Sequence, residues 1–237
     1  MVLKTALLFA AASILTAQQS AEPYPLAAGN YWVYQGRNVD PSMTYAQGRL
    51  LPPQTKKINF RCKITKVVYR KGLKSPAITA AAFDNFPTRS GEVILLNVNS
   101  RMLYVVDYRE ASDAPRILRR VRNPRDDLAD LLRETPMISM PLAPGKHWAA
   151  AIEEWSVLRR EHTSLRGVRG AEAAANLEGF ILETGSNTNN TKLDFVPGVG
   201  ITRVFAESLF PRGDPNHWEF DVKLVEVHLE PPGATAH

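Results

Sequence analysis

Alternation of apolar and polar positions dominates the chain. Over residues 57–65, Ile58, Phe60, Cys62 and Ile64 alternate with Lys57, Asn59, Arg61, Lys63 and Thr65. This is the two-residue period of a strand with one buried face. The pattern predicts a long strand over 57–69, ended by Lys71-Gly72. Short β-branched and aromatic runs predict further strands over 31–34, 92–98, 103–108, 179–183, 192–196 and 201–206. Asn99-Ser100-Arg101-Met102 and the Asn-rich stretch 186–191 read as hairpin turns, and Pro197-Gly198-Val199-Gly200 as a turn before the strand that follows. In the last strand Phe220, Val222 and Leu224 occupy one phase, whereas Val225, Val227 and Leu229 occupy the other. A shift of phase at Leu224-Val225 is the mark of a β-bulge in a strongly curved sheet.

Helical signals are few. Asn123 as cap, Pro124 at the first helical position, and Asp126 and Asp127 near the positive end of the dipole predict a helix there. Its apolar face would be Leu128, Leu131 and Leu132, and Pro136 would end it. Residues 148–161 suit a helix by composition, with Trp148, Ile152 and Trp155 on one side. An internal comparison favours a strand instead. Pro25-Leu26-Ala27-Ala28-Gly29-Asn30-Tyr31-Trp32 matches Pro141-Leu142-Ala143-Pro144-Gly145-Lys146-His147-Trp148 at five of eight positions. Such a spacing, about half the chain, reads as an imperfect duplication in which each turn delivers a Trp into a strand. The fold expected is therefore mainly β: a curved antiparallel sheet, half-barrel or sandwich, with one or two short helices. It forms a single β-rich domain over 18–230, with halves at 24–135 and 136–230, and a disordered tail at 231–237.

Composition narrows the class. With 237 residues, 44% hydrophobic and 22% charged, the chain is globular rather than disordered or collagenous. One cysteine excludes a disulfide framework and a cysteine-based zinc module. Cys62 lies in the apolar phase of its strand and reads as a small core residue. A net charge of +5 is mild, which argues against a dedicated nucleic-acid binder. The segment 1–17 reads as a secretory signal peptide: Lys4, then ten uncharged residues from Ala6 to Leu15, then Thr16-Ala17-Gln18. The apolar run is too short to span a bilayer, and no cysteine follows it for lipid attachment. The expected location is exported, periplasmic or extracellular.

Three segments resemble a family of uncharacterised bacterial exported β-rich proteins. An opening Pro-Leu-x-x-Gly-Asn-x-Trp-x-Tyr is met by Pro25, Leu26, Gly29, Asn30, Trp32 and Tyr34. A second Pro-Leu-x-Pro-Gly-x-x-Trp is met by Pro141, Leu142, Pro144, Gly145 and Trp148. A late aromatic-x-Pro-Gly-Val-Gly-Ile is met by Phe195, Pro197, Gly198, Val199, Gly200 and Ile201. About 25 residues carry the likeness, and Ala173-Ala174-Ala175-Asn176 replaces the Pro-Ala-Gly-x-Phe turn usual in such proteins. The resemblance implies an exported antiparallel β fold, a curved half-barrel like that of the periplasmic lipoprotein carriers, and no catalytic residues.

Candidate chemistry is sparse. None of the five histidines has metal-ligand spacing. His147-Trp148 and His217-Trp218 each follow a turn, and with Asp214 and Glu153 they define an alternative reading as a metal-dependent hydrolase. Glu153 and Glu154 are adjacent, so strand and helix alike aim them apart. Gly-x-Ser-x-Gly and phosphate-binding loops are absent. Arg116, Arg119, Arg120, Arg122 and Arg125 fall within ten residues, interleaved with Ile117, Leu118 and Val121. As an interfacial segment they are candidates for contact with an anionic membrane surface or an envelope protein; the alternative is a solvated strand edge, charged against pairing, that makes no such contact. The leading reading is a non-enzymatic exported protein that binds an apolar or amphipathic ligand, such as a lipid, or a cell-envelope partner. It requires no cofactor and no nucleic acid, and its candidate contacts are Trp32, Phe60, Trp148, Trp155 and Trp218. A filled β-sandwich serving as an interaction module is the other alternative. Export is directly testable: the intact mass of the exported product should correspond to loss of about the first 17 residues, with the formal charge falling from +5 to +4 as Lys4 leaves. Recovery of the full-length mass would remove the address.

Overall fold

The computed structural model describes residues 23–42, 45–46, 49–51, 53–71, 76–89, 91–107, 113–133, 136–150, 153–171, 174 and 176–230. The proposed leader (1–17) and tail (231–237) lie outside them. The strands are β1 (Tyr31–Asp40), β2 (Tyr45–Ala46), β3 (Arg49–Leu50), β4 (Gln54–Arg70), β5 (Ile78–Phe83), β6 (Val93–Val98) and β7 (Met102–Asp107). Helix α1 (Asp113–Arg122) follows. Then come β8 (Ile138–Ser139), β9 (His147–Ala150), β10 (Glu153–Thr163), β11 (Leu177–Gly185), β12 (Asn189–Val196), β13 (Gly200–Ser208) and β14 (Glu219–His228). Among the described residues no helix is long and apolar enough to cross a membrane.

Twelve strands form one antiparallel sheet in the order β8-β7-β6-β5-β4-β1-β14-β13-β12-β11-β10-β9, and β2-β3 form a separate small hairpin. The order is that of an up-and-down ring. Each strand lies beside its successor, the small hairpin aside, and the first strand pairs with the last. The one step at which the ring is not closed lies between β8 and β9. Laid flat, twelve strands would span roughly 55 Å. Yet Ile138 of β8 and Trp155 of β10 belong to one buried cluster with Trp32, Leu95 and Leu193. The sheet is therefore curled around a shared core, an open barrel.

Across the β8/β9 gap, side chains replace the missing ladder. Lys146 Nζ donates to the Ser139 and Pro141 carbonyls, the latter at 2.9 Å, and Trp148 Nε1 donates to Pro136 O at 2.6 Å. The matching octets form the same turn at the two ends of the meander. Asn30 N bonds Ala27 O and Lys146 N bonds Ala143 O, and Gly29 and Gly145 both have positive φ, which a side chain would oppose. Each turn then feeds a Trp into the second position of a strand. Residues 153–163 are strand, as that comparison favours.

Local devices agree with the pattern. Asn99 and Ser100 both have positive φ, the two-residue hairpin turn whose twist matches the strands. The register of β1 on β14 slips between Val33↔Glu226 and Tyr34↔Leu224, which makes Val225 the extra residue of a bulge, at the predicted place.

The helix is a correction. Asn123 does not open a helix; it follows one. α1 covers 113–122, so the arginine cluster, read as an interfacial segment or a strand edge, is the helix itself, except for Arg125 beyond its end. Pro124 comes after the last turn, where proline also stops helices. Asn123, Asp126 and Asp127 accept from the amides of Arg125, Leu128 and Ala129, making side-chain turns with the same chemistry as a cap. Ile117, Leu118 and Val121 are buried against Val68, Ala80, Ile94 and Leu96 on the outer face of β4–β6. β5 and β6 are thus covered on both faces.

Arg70, at the end of β4 and only 5% exposed, fixes this helix. Its guanidinium donates to Val121 O (2.7 Å), Asp126 O (2.8 Å), Arg120 O (3.0 Å) and Asn123 O (2.6 Å). Those include carbonyls that a helix end leaves without intrahelical partners, where the dipole also favours a cation. Replacing Arg70 with Met should cost about 3 kcal/mol or more in urea unfolding, because buried carbonyls lose a charged donor. Amide exchange in α1 should accelerate before that of the sheet. Equal protection in the two proteins would refute this role.

Candidate functional site

Among the described residues, the barrel interior is packed at one end and opens into a cleft at the other. On β4 the inward row is Ile58, Phe60, Cys62, Ile64; the last two are buried, the first two only half-buried. β14 repeats the gradient, with Phe220 half-buried and Val222 buried. At the closed end Trp32, Tyr24, Phe83 and Phe86 pack as an aromatic floor, with ring centroids 5.1 Å apart for Tyr24–Trp32, 5.8 Å for Trp32–Phe83 and 5.4 Å for Phe83–Phe86. This floor is held by hydrogen bonds: Trp32 Nε1 donates to Val199 O (2.8 Å) and the Tyr34 hydroxyl to Ile201 O (2.7 Å).

Above the floor lies a cleft of about 740 Å³, within the size range of small-molecule sites. Ile58, Phe60, Phe86, Val204, Trp218 and Phe220 supply its apolar wall. Tyr34 stacks on Phe60 at 5.5 Å and Phe60 meets Phe220 at 6.4 Å, so the wall continues the core. Polar groups sit among the remaining lining residues, including Asn38, Thr88, Thr191 and Arg89, while Lys57 and Asn59 belong to the outward row of β4; among the described residues no carboxylate lines the cleft. The arrangement offers an apolar chamber with neutral and cationic polar groups on its lining.

Of the five aromatic residues proposed from sequence, Phe60 and Trp218 line this cleft. Trp32 is fully buried in the floor, Trp155 is in the core, and Trp148 is spent on the β8/β9 gap. Ile58, Val204 and Phe220 were missed, because alternation marks an inward residue without telling whether anything fills the space before it.

The arginines lie on the other side of the sheet. Arg120 is engaged by Asp126 (2.9 Å) and Asp130 (2.7 Å), which holds the Asp130 carboxyl down at about 2, and Arg116 by Asp113 (2.7 Å). Arg119, Arg122 and Arg125 are exposed. Because Ile117, Leu118 and Val121 face the sheet, the segment has no apolar face to lay on a bilayer.

Among the described residues the histidines are not part of a metal-holding group. His147, on β9, is exposed and lies 3.3 Å from Glu154; His217 is buried and bonds the Phe210 carbonyl at 2.9 Å through Nδ1. The side chain of Glu153 lies outside the described residues. Among the described residues, no three His, Cys, Asp or Glu side chains are grouped to hold a metal ion.

No family model matches the chain, and no curated protein does. Among solved structures, a crystal structure from Parabacteroides distasonis ATCC 8503, described as a "putative lipoprotein", is similar at 12% identity. The match covers 86% of this chain and 97% of that chain, with a TM-score of 0.34.

Cys62 is packed in the core, and burial pushes its thiol well above the usual range, with the nearby Asp84 carboxylate adding to the effect. The thiolate form is therefore suppressed in the folded protein. A thiol reagent at mildly alkaline pH should leave native protein unlabelled and modify the single cysteine on denaturation. Rapid native labelling would show that the core opens at β4.

Proposed function

We propose that this is an exported binding protein for an amphipathic molecule, whose apolar body occupies the cleft while its polar end meets Asn38, Thr88 and Thr191. The observation that carries the reading is the unfilled end of the barrel interior. A protein core normally closes on itself at near-crystalline density, yet here the inward rows of β4 and β14 run on past the packed floor into open space. Half-buried Phe60, Trp218 and Phe220 gain from an apolar occupant what they otherwise lose to water.

Further support comes from rigidity. The floor is hydrogen-bonded and the barrel is closed at β1–β14, so the chamber is formed before any ligand arrives, which lowers the entropic cost of binding. Among the described residues no carboxylate lines the cleft, which favours an anionic or neutral head over a cationic one. The exported location rests on the reading of residues 1–17.

The test is titration of the purified protein with a fluorescent fatty-acid analogue, followed by the emission of the probe. Binding should be saturable. Ala206→Trp, which places an indole in the cleft, should abolish it, and Phe60→Ala should weaken it roughly tenfold through lost apolar contact. Native mass spectrometry of protein taken from its exported compartment should show a mass excess that solvent extraction removes. Unsaturable binding, unchanged in Ala206→Trp, would sink the proposal.

A further inference from the structure

Helix α1 covers the outer face of β4–β6, whereas among the described residues no helix lies on the outer face of β10–β13. One charged group on that second face is left over. Pairing aligns Arg159, Ile181, Asp194 and Arg203 in one row across the four strands. Glu183, Lys192, Phe205 and Asp221 form the next row. Both rows point outward, since Leu182, Leu193 and Val204 between them belong to the core.

Residues directly opposite one another stand about 5 Å apart, so Arg203 is placed to pair with Asp194. It is turned away instead. Its guanidinium donates twice to Asp221, at 2.9 and 3.0 Å, and lies 5.7 Å from the centre of the Phe205 ring. The other cations of the two rows are likewise engaged, Lys192 with Glu183 at 3.3 Å and Arg159 with Glu161 at 3.2 Å. Lys223 is exposed and two strands from Asp194. Thr202 meets the Asp194 backbone carbonyl, but among the described residues no hydrogen bond or ion pair reaches the carboxylate.

That carboxylate lines a recess of about 300 Å³. Its other cross-strand neighbour is apolar Ile181. Leu158, 42% exposed, and half-buried Phe205 extend the apolar wall. Burial there pushes the Asp194 carboxyl above the usual carboxylate range, against the pull of Arg203. A partly desolvated charge without a donor is costly, and a cationic donor arriving from outside removes that cost.

We propose that this recess binds a guanidinium or alkylammonium group carried on an aliphatic stem, the cation meeting Asp194 and the stem lying on Leu158, Ile181 and Phe205. Charge decides the sign of the ligand. Each cation lining the recess already has its own carboxylate, so the uncompensated charge is that of Asp194. An anion would first have to draw Arg203 off Asp221. Charge-assisted hydrogen bonds are among the stronger ones, and long cationic side chains bury their stems on apolar surface in the same manner. Recess and cleft lie on opposite faces of the sheet, so the proposal goes beyond the cleft reading and stands without it.

The experiment is titration of the exported protein with agmatine, a guanidinium on an aliphatic stem, followed by the backbone amide signals of Ile181, Asp194 and Arg203 in NMR spectra. The shifts should saturate. Pentanoate, with an anionic end, and the guanidinium ion without a stem should each bind at least about tenfold more weakly. Asp194→Asn keeps the shape without the charge and should weaken agmatine at least about tenfold, with circular dichroism and cleft-probe binding unchanged. Asp221→Asn is an independent check that also serves should the first variant fail to fold. It releases Arg203 to pair with Asp194 and should weaken agmatine without touching it. Shifts that never saturate, agmatine binding that survives Asp194→Asn, or pentanoate binding as tight as agmatine's overturns the proposal. A blocked tripeptide with a central arginine separates the sources of the cation, and both results support the recess: tighter binding than agmatine assigns it to a polypeptide side chain, weaker binding to a free amine. Agmatine binding without cleft-probe binding removes the cleft reading alone, and the reverse removes only the recess.

Discussion

The pairing of the first strand with the last governs the molecule. β1 runs through the middle of the sheet, between β4 and β14, and its inward Trp32 and Tyr34 reach past β14 to the start of β13. There β13 and β14 are not paired: their ladder covers only Arg203↔Lys223 to Glu207↔Glu219. The carbonyls of Val199 and Ile201 accept from the indole and the phenol instead. On the β14 side of the same gap, Arg169 N donates to Val225 O and Val227 N to Arg169 O. Two strands can thus splay without orphaned polar groups, which buried backbone does not tolerate. The splay and the Val225 bulge help turn a twelve-stranded sheet into an open barrel.

The same geometry explains the uneven interior. Where the rings of Tyr24, Trp32, Phe83 and Phe86 meet, large side chains from distant strands cover one another. Further along β4 and β14 the inward Phe60 and Phe220 meet at 6.4 Å but stay half-buried beside the cleft. Covering β5 and β6 with α1, clamped by Arg70, spends the remaining apolar surface of that half on the outside. Core filling and chamber are thus two ends of one row of residues.

Much of this was legible in the alternation, because period two is a direct record of which residues face inward. Phase slips are equally direct, so the bulge at Leu224-Val225 is legible in the sequence alone. The helix was misplaced because Asn123, Asp126 and Asp127 offer side-chain oxygens to nearby amides in turns as readily as at a helix start. Of the candidate site, Phe60 and Trp218 were legible as inward aromatics. Their difference from Trp32 and Trp155 was not, since it depends on what lies across the barrel. Ring order and the Arg70 clamp join residues far apart in sequence, with no local signature.

The β1–β14 pairing also bears on the order in which the chain acquires structure. Tyr31 is matched with His228, so the central strand lacks one of its two neighbours until nearly the whole chain is present. Contacts so distant in sequence form slowly. A polypeptide synthesised N-terminus first therefore cannot close its barrel until its final strand has been made.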